Sequence, residues 1–418
     1  MGDDRLGSRS AAHVVVFVCA AQVLVQIGAF FWPALLPGMI DRWALTNSEA
    51  GWITSIFYAA YIASVPVLVT LTDRIDAKRV YLTGVAATVL GHLLFAFFAD
   101  GFLSALVARA LAGVGWAGTY MTGLKLLADT VDAKLMSRAA AGHAASIGIS
   151  GALSFACADW IAEMWGWRFA FLAAGISAAL AWLLIALTVP GGGQHPLQAK
   201  SNGALFDFRH VLRNRSAMAY AIAYCVHTLE MSAVRGWGVA FLGFVALRTD
   251  WPDPTLSPTA TLTALGLAGT LTSVLGNEAA IVLGRRRLIF FAMTGSAACA
   301  ILLGFLGSGS YPLAVALMLI YGPIVWLDSS SLTAGTAGTA EPSRRGATLA
   351  VHSMLGYIGG FIGPLAVGWI LDWRGGMSPA AWTSAFTMVA VLTVLALTAF
   401  LIMRPSGLAG DRRGNKTV

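Results

Sequence analysis

One apolar stretch near the middle of the chain, residues 216–247, carries Tyr224, His227, Glu230 and Arg235. Wound as a helix at about 100° per residue, it sets Glu230 roughly 60° to one side of His227 and Arg235 roughly 80° to the other. One broad face then presents a carboxylate, an imidazole and a guanidinium, with the Tyr224 phenol beside them. A carboxyl group moved out of water favours its neutral form, and an imidazole changes charge near neutrality. The two together suit the carriage of a proton. A guanidinium suits two-pronged capture of a carboxylate or similar oxyanion. The same residue types can equally form an ion pair that only holds helices in register.

Other ionisable groups also lie inside long apolar runs, where each costs about 2.5–3.5 kcal/mol to insert into a bilayer. Asp328 is followed by Ser329, Ser330 and Ser331, with Tyr321 upstream, and can take a proton or pair with a cation. Arg109 suits either a ligand contact or a structural or gating role. Lys125, near the end of its run, suits a side chain that reaches for the surface. Glu278, close before Gly284, suits a gate contact, whereas His143 and His352 read as packing residues. Four cysteines, Cys19, Cys157, Cys225 and Cys299, sit at no metal-ligand spacing and read as small apolar packing residues.

The elements that must position these groups follow from composition. Of the 418 residues, 57% are hydrophobic and only 11% are charged, against about a quarter charged in soluble domains. Too little charge exists to cover soluble cores, so the solvent is lipid. A helix crosses a bilayer in about 20 apolar residues. Runs of that kind occupy 12–36, 50–71, 80–98, 102–128, 139–161 and 168–189, then 216–247, 259–283, 288–306, 311–335, 346–371 and 380–403. The first run is too long for a signal-peptide core of about 7–15 residues. With the N-terminus in the cytoplasm, 20 of the 27 Lys and Arg fall on the cytoplasmic side, and only Arg42, Arg168, Arg248 and Arg374 fall opposite. That alternation is the positive-inside pattern. It predicts a multi-pass protein of the cell (inner or plasma) membrane with both termini cytoplasmic. The net charge of +7 is thereby explained without nucleic acid. The polar stretch Pro190–Arg215 divides the chain into bundles at 1–189 and 216–418, joined by a linker at 190–215. The fold class is all-α, with twelve spans in two pseudo-symmetric six-helix bundles. Paired halves of this kind build transporter sites at the membrane midplane.

The ordered motifs resemble those of the major facilitator superfamily over essentially the whole chain. The loop after the second span is similar to G-x-x-x-D-R-x-G-R-[RK] at Asp73, Arg74 and Lys78, and departs from it at Val69, Asp76 and Ala77. Arg109-Ala-Leu-Ala-Gly113-Val-Gly115 resembles R-x-x-x-G-x-G, and Gly166-Trp167-Arg168-Phe169 with Phe171 resembles G-W-R-x-x-F. His227-Thr-Leu-Glu230 and the run Asp328 to Gly335 are similar to the cyanate and nitrate permease-like branches. The Arg residues that nitrate porters carry in spans two and eight are absent, as is the G-P-x-x-G-G exporter signature in span five.

The resemblance implies that spans one, four, seven and ten line a central cavity. Of the nine ionisable groups named above, six fall on three of those spans, and span one adds Gln22 and Gln26, one turn apart. Arg235, His227, Tyr224, Arg109, Gln22, Gln26 and Trp326 are then substrate-contact candidates, and Glu230 and Asp328 proton-coupling candidates. Asp73, Arg74 and Lys78 resemble a cytoplasmic latch; Glu278 joins them at the gate, with Arg138 and Arg345 opening the fifth span of each half. Trp116, Trp237 and Trp326 either wall the cavity or pack the core. The expected function is secondary transport of a small organic or inorganic anion with proton coupling, by a monomer in the lipid bilayer, with no cofactor and no metal. A proton-antiporting exporter of amphipathic compounds is the alternative. A solute sensor is more remote, and an intramembrane enzyme lacks any H-E-x-x-H, G-x-S-x-G or nucleotide-binding loop.

Overall fold

Lipid offers backbone groups no hydrogen-bond partners, so a spanning chain must satisfy them within helices or closed barrels. The structure, a computed structural model, describes residues 3–72, 74–131, 133–191, 208–251, 256–408 and 411. Every regular element among the described residues is helical. Among the described residues twelve spans are long and apolar enough to cross a membrane. Their ends reach a few residues beyond the apolar runs, because polar residues cap and extend the helices. Asn214, Ser257 and Ser378 each accept a backbone N–H at a helix start.

Contacts divide the chain into two units: Met1–Leu35 with Ile56–Asn202, and Leu36–Ser55 with Gly203–Val418. In chain order the first six spans comprise α1 (Asp3–Gln26), α2 (Phe31–Trp43), α3 (Asn47–Leu71), α4 (Ala77–Phe98), α5 (Phe102–Thr130), α6 (Ala133–Trp165) and α7 (Trp167–Thr188). After the short α8 (Arg209–Arg213) come α9 (Arg215–Arg248), α10 (Pro258–Leu283) and α11 (Arg285–Leu306). The last spans are α12 (Tyr311–Trp326), α13 (Ser329–Thr339), α14 (Arg345–Trp373) and α15 (Pro379–Met403). Most of the linker at 190–215 lies outside the described residues.

Small residues let helices touch backbone to backbone where no hydrophobic effect drives them together. In the first unit Gly84 of α4 meets Gly118 of α5 so closely that a methyl at either would strike the other's backbone. Beside that seam Val18, Ala21 and Val25 of α1 pack with Tyr81, Val85, Ala178 and Ile185. In the second unit Gly359 and Gly363 of α14 press against the carbonyls of Cys225 and Leu229 in α9. Trp237 fixes the same pair by donating from Nε1 to the Pro364 carbonyl at 2.8 Å. The start of α3 belongs to the second unit because Asp372, at the end of α14, caps it. Asp372 accepts from the backbone N–H groups of Asn47 and Ser48 at 3.0 and 2.7 Å, and from the Asn47 amide at 2.8 Å.

Two spans are broken. The first is interrupted between α1 and α2, where residues 27–30 form turns. Pro33 has no N–H to give the Ala29 carbonyl one helical turn earlier, so that oxygen is released from the helix ladder. The tenth is interrupted at Leu327 and Asp328, between α12 and α13. There the Leu327 carbonyl approaches α10 at Gly276, leaving no room for a methyl group.

Candidate functional site

The break in the tenth span sets Asp328 at the head of α13, buried, facing α9. His227 Nδ1 lies 3.0 Å from Asp328 Oδ1, and both side chains are almost fully shielded from solvent. The pair is in electrostatic contact without an aligned hydrogen bond, and His227 Nε2 is buried with no hydrogen-bond partner. One turn further along α9, Glu230 is ringed by hydroxyls. Tyr321 donates to its Oε1 at 2.7 Å, and Ser296 and Thr393 donate to its Oε2 at 3.2 and 3.4 Å. A narrow crevice lined by His227, Glu230, Ser296 and Asp328, with apolar walls from α11 and α12, connects the two carboxyl groups. Two carboxyl groups and one imidazole thus share a buried enclosure. Among the described residues neither acid pairs with Arg or Lys. Such a centre can hold a proton and release it only when its partners move, since an unpaired charge there is costly.

Arg235 does not join that centre. Its guanidinium lies over the Trp326 ring, 4.7 Å from the centroid, a cation–π contact. The shared face expected of Glu230 and Arg235 is therefore divided, with the acid in the bundle and the cation on an indole. Tyr224 stacks on His227 at 5.6 Å and on His352 at 4.0 Å. His352 is also held at both ring nitrogens, by Thr333 at 3.1 Å and Thr336 at 3.0 Å.

In the first unit Arg109 of α5 is 3% exposed. Its Nη1 donates to the Ala29 carbonyl freed by Pro33, at 3.0 Å, and its guanidinium covers the Phe57 ring at 4.7 Å. Trp116 stands edge-on to Phe57 at 4.9 Å and to Phe30 at 6.3 Å, so the contacts return to the break. Arg109 Nε, Trp116 Nε1, Gln22 Nε2 and both amide atoms of Gln26 are buried without a hydrogen-bond partner among the described residues. Gln22 Oε1 receives the Tyr81 hydroxyl at 3.4 Å. Among the described residues no carboxylate pairs with Arg109.

The gate candidates lie elsewhere. Lys78 donates from Nζ to the carbonyls of Ala186 and Val189 at 3.0 and 2.6 Å, a cation at the end of α7. Arg74, Arg138, Glu278 and Arg345 are exposed, and Asp73 lies outside the described residues. Lys125 pairs with Asp129 one turn on, and His143 Nε2 meets the Tyr120 carbonyl at 3.0 Å.

The sequence reading passes over several residues. Ser296 and Thr393 carry no signal, because single hydroxyls are ordinary in apolar helices. His92, in the third span, is a further intramembrane ionisable group. It is 3% exposed, and its ring packs against Gly28 so closely that a methyl there would lie 2.6 Å from it. Gly28 in the middle of the first span is the trace that could have led to it.

Broken spans, glycine seams and buried ionisable groups in two helical units characterise membrane carriers. The sequence profile described as Major Facilitator Superfamily matches residues 18–327. The chain belongs to the Major Facilitator Superfamily. It is 26% identical over 391 residues to human Protein spinster homolog 1, covering 87% of this chain and 73% of that one. A probable 4-methylmuconolactone transporter of Cupriavidus pinatubonensis is 25% identical over 193 residues, covering 45% of each chain. Among solved structures, a bacterial homologue of the human lysosomal transporter spinster, inward-facing and unoccupied, superposes with TM-score 0.76 at 14% identity. That match covers 98% of this chain and 99% of the other. Family and fold make the chain a multi-pass transporter of small molecules rather than an enzyme. None of the relatives named here is a nitrate or cyanate permease.

Proposed function

We propose that this superfamily member is a secondary active transporter of a small organic anion, coupled to protons through His227, Glu230 and Asp328. The observation that supports it is the imbalance of buried charge. Arg109 is a buried guanidinium with no carboxylate partner among the described residues, held at a broken helix among unpartnered amide and indole nitrogens. A buried cation left uncompensated is costly. The anionic group of a solute would complete it, with Gln22, Gln26 and Trp116 supplying further hydrogen bonds. In the second unit two carboxyl groups face one imidazole. Their excess negative charge is relieved by a proton.

Arg235 and Trp326 form a second cationic surface for the solute, with Tyr224 beside His227. Arg74, Lys78, Glu278, Arg138 and Arg345, with Asp73, belong to the gating ends. The protein works as a monomer in the cell membrane with both ends in the cytoplasm. Trp237 is committed to Pro364, so it packs the bundle rather than walling a space for a bulky amphipathic cation. The test is uptake into proteoliposomes under an inward-acid pH gradient, with a panel of organic acids, neutral polyols and organic amines. Accumulation of an acid that collapses with a protonophore supports the proposal. Gradient-driven movement of amines alone refutes it.

A further inference from the structure

The segment after α15 turns back over one end of the second unit and is tied down at successive points. Arg404 reverses the chain in a left-handed conformation with φ of 50°. Arg215 Nη2 donates to the Ile402 carbonyl at 2.8 Å. The Ser406 N–H donates to Ser216 Oγ at 3.0 Å, and the Tyr220 hydroxyl to the Ser406 carbonyl at 3.0 Å. Leu408 then covers Gly338 near the end of α13. The last tie is an ion pair. Arg285 Nη2 lies 3.2 Å from Asp411 Oδ1, with side chains only 3% and 6% exposed.

Arg285 stands in the triple-arginine run that sets topology, where a solvated side chain is the expectation. It is instead buried at the foot of α11, and its other terminal nitrogen reaches the Asn277 amide oxygen at 3.3 Å and the Ser331 carbonyl at 3.2 Å. One guanidinium therefore joins α10, the first turn of α13 and the segment after α15. That first turn begins at Asp328, the acid of the buried centre. The tenth span is broken at Leu327 and Asp328, so α13 is a helix separate from α12.

We propose that Ser406, Leu408 and Asp411, beyond α15, form a clasp for α13. The Asp411 carboxylate neutralises Arg285, and that neutralised guanidinium holds the half-helix headed by Asp328 against α10 and α11. Releasing Asp411 leaves a buried cation, which draws Arg285 toward water and off the Ser331 carbonyl. The half-span that carries the acid is then unclasped. The clasp stands on contacts within the second unit and does not depend on which solute or coupling ion the protein carries.

Hydrogen–deuterium exchange of the full chain in detergent reads α13 directly. Asp411→Asn keeps the shape of the side chain and removes its charge. It is expected to speed exchange across 329–339 by about tenfold while leaving α9 and α15 unchanged, since local openings are read separately from global ones. A chain ended after Pro405 is expected to match or exceed that rate. Wild-type exchange across 329–339 in both Asp411→Asn and the shortened chain overturns the clasp. So does a uniform rise through every helix, which marks general loss of stability.

Discussion

Glu230→Gln separates the proposed proton-carrying role of this residue from its packing role. The amide has the volume of the carboxyl and still accepts the Tyr321 hydroxyl, now at 2.7 Å from Oε1. Its nitrogen replaces Oε2, which takes the hydroxyls of Ser296 and Thr393. Ser296 already has the Met293 carbonyl within 3.2 Å as a second acceptor, so only the Thr393 bond lacks a ready substitute. The stability cost is about 1–2 kcal/mol, that of one or two imperfectly replaced hydrogen bonds. The functional cost is total for coupling. One proton carried per anion sustains about tenfold accumulation for each pH unit imposed, because that unit is worth about 1.36 kcal/mol. In proteoliposomes under a gradient of about one unit, Glu230→Gln is expected to bring the solute only to its outside concentration. Exchange of internal for external solute continues in the same vesicles. Retention of tenfold accumulation by the variant refutes the reasoning, and loss of exchange together with accumulation returns Glu230 to a structural role.

Further outcomes rest on other contacts. Arg109→Lys keeps the charge but loses the planar fork, and about tenfold or more of solute affinity is expected to go with it in a thermal-shift titration; unchanged affinity removes Arg109 from the site. Asp372→Ala strips the cap from the start of α3, and a loss of about 1–2 kcal/mol is expected in denaturant melts. Gly276→Ala puts a methyl into the Leu327 carbonyl, with an expected cost of about 1–3 kcal/mol and disturbance confined to the second unit.

The spans were legible because lipid demands long apolar runs, and some helix ends moved outward where capping residues and Arg215 or Arg345 prolong the ladder. The breaks were not legible. Gly28, Pro33 and Gly276 are unremarkable residues in membrane helices, and only the packing of His92, Arg109 and Leu327 around them shows what they permit. The candidate site was legible by residue type rather than by pairing. His227, Glu230 and Asp328 stood out as costly intramembrane charges. A helical wheel on α9 alone could not tell that Asp328 would come to His227 or that Glu230 would turn to Tyr321. Nor could it place Arg235 on Trp326, a contact made across helices far apart in the chain.

Solute-driven proton movement tests the central claim most directly. Proteoliposomes holding a trapped pH-sensitive dye, with no initial pH gradient, are given an inward gradient of the organic acid that the uptake panel selects. The account predicts that wild-type vesicles acidify as the acid enters and that Glu230→Gln vesicles do not. Entry of the acid through the wild-type protein with no change in internal pH contradicts it.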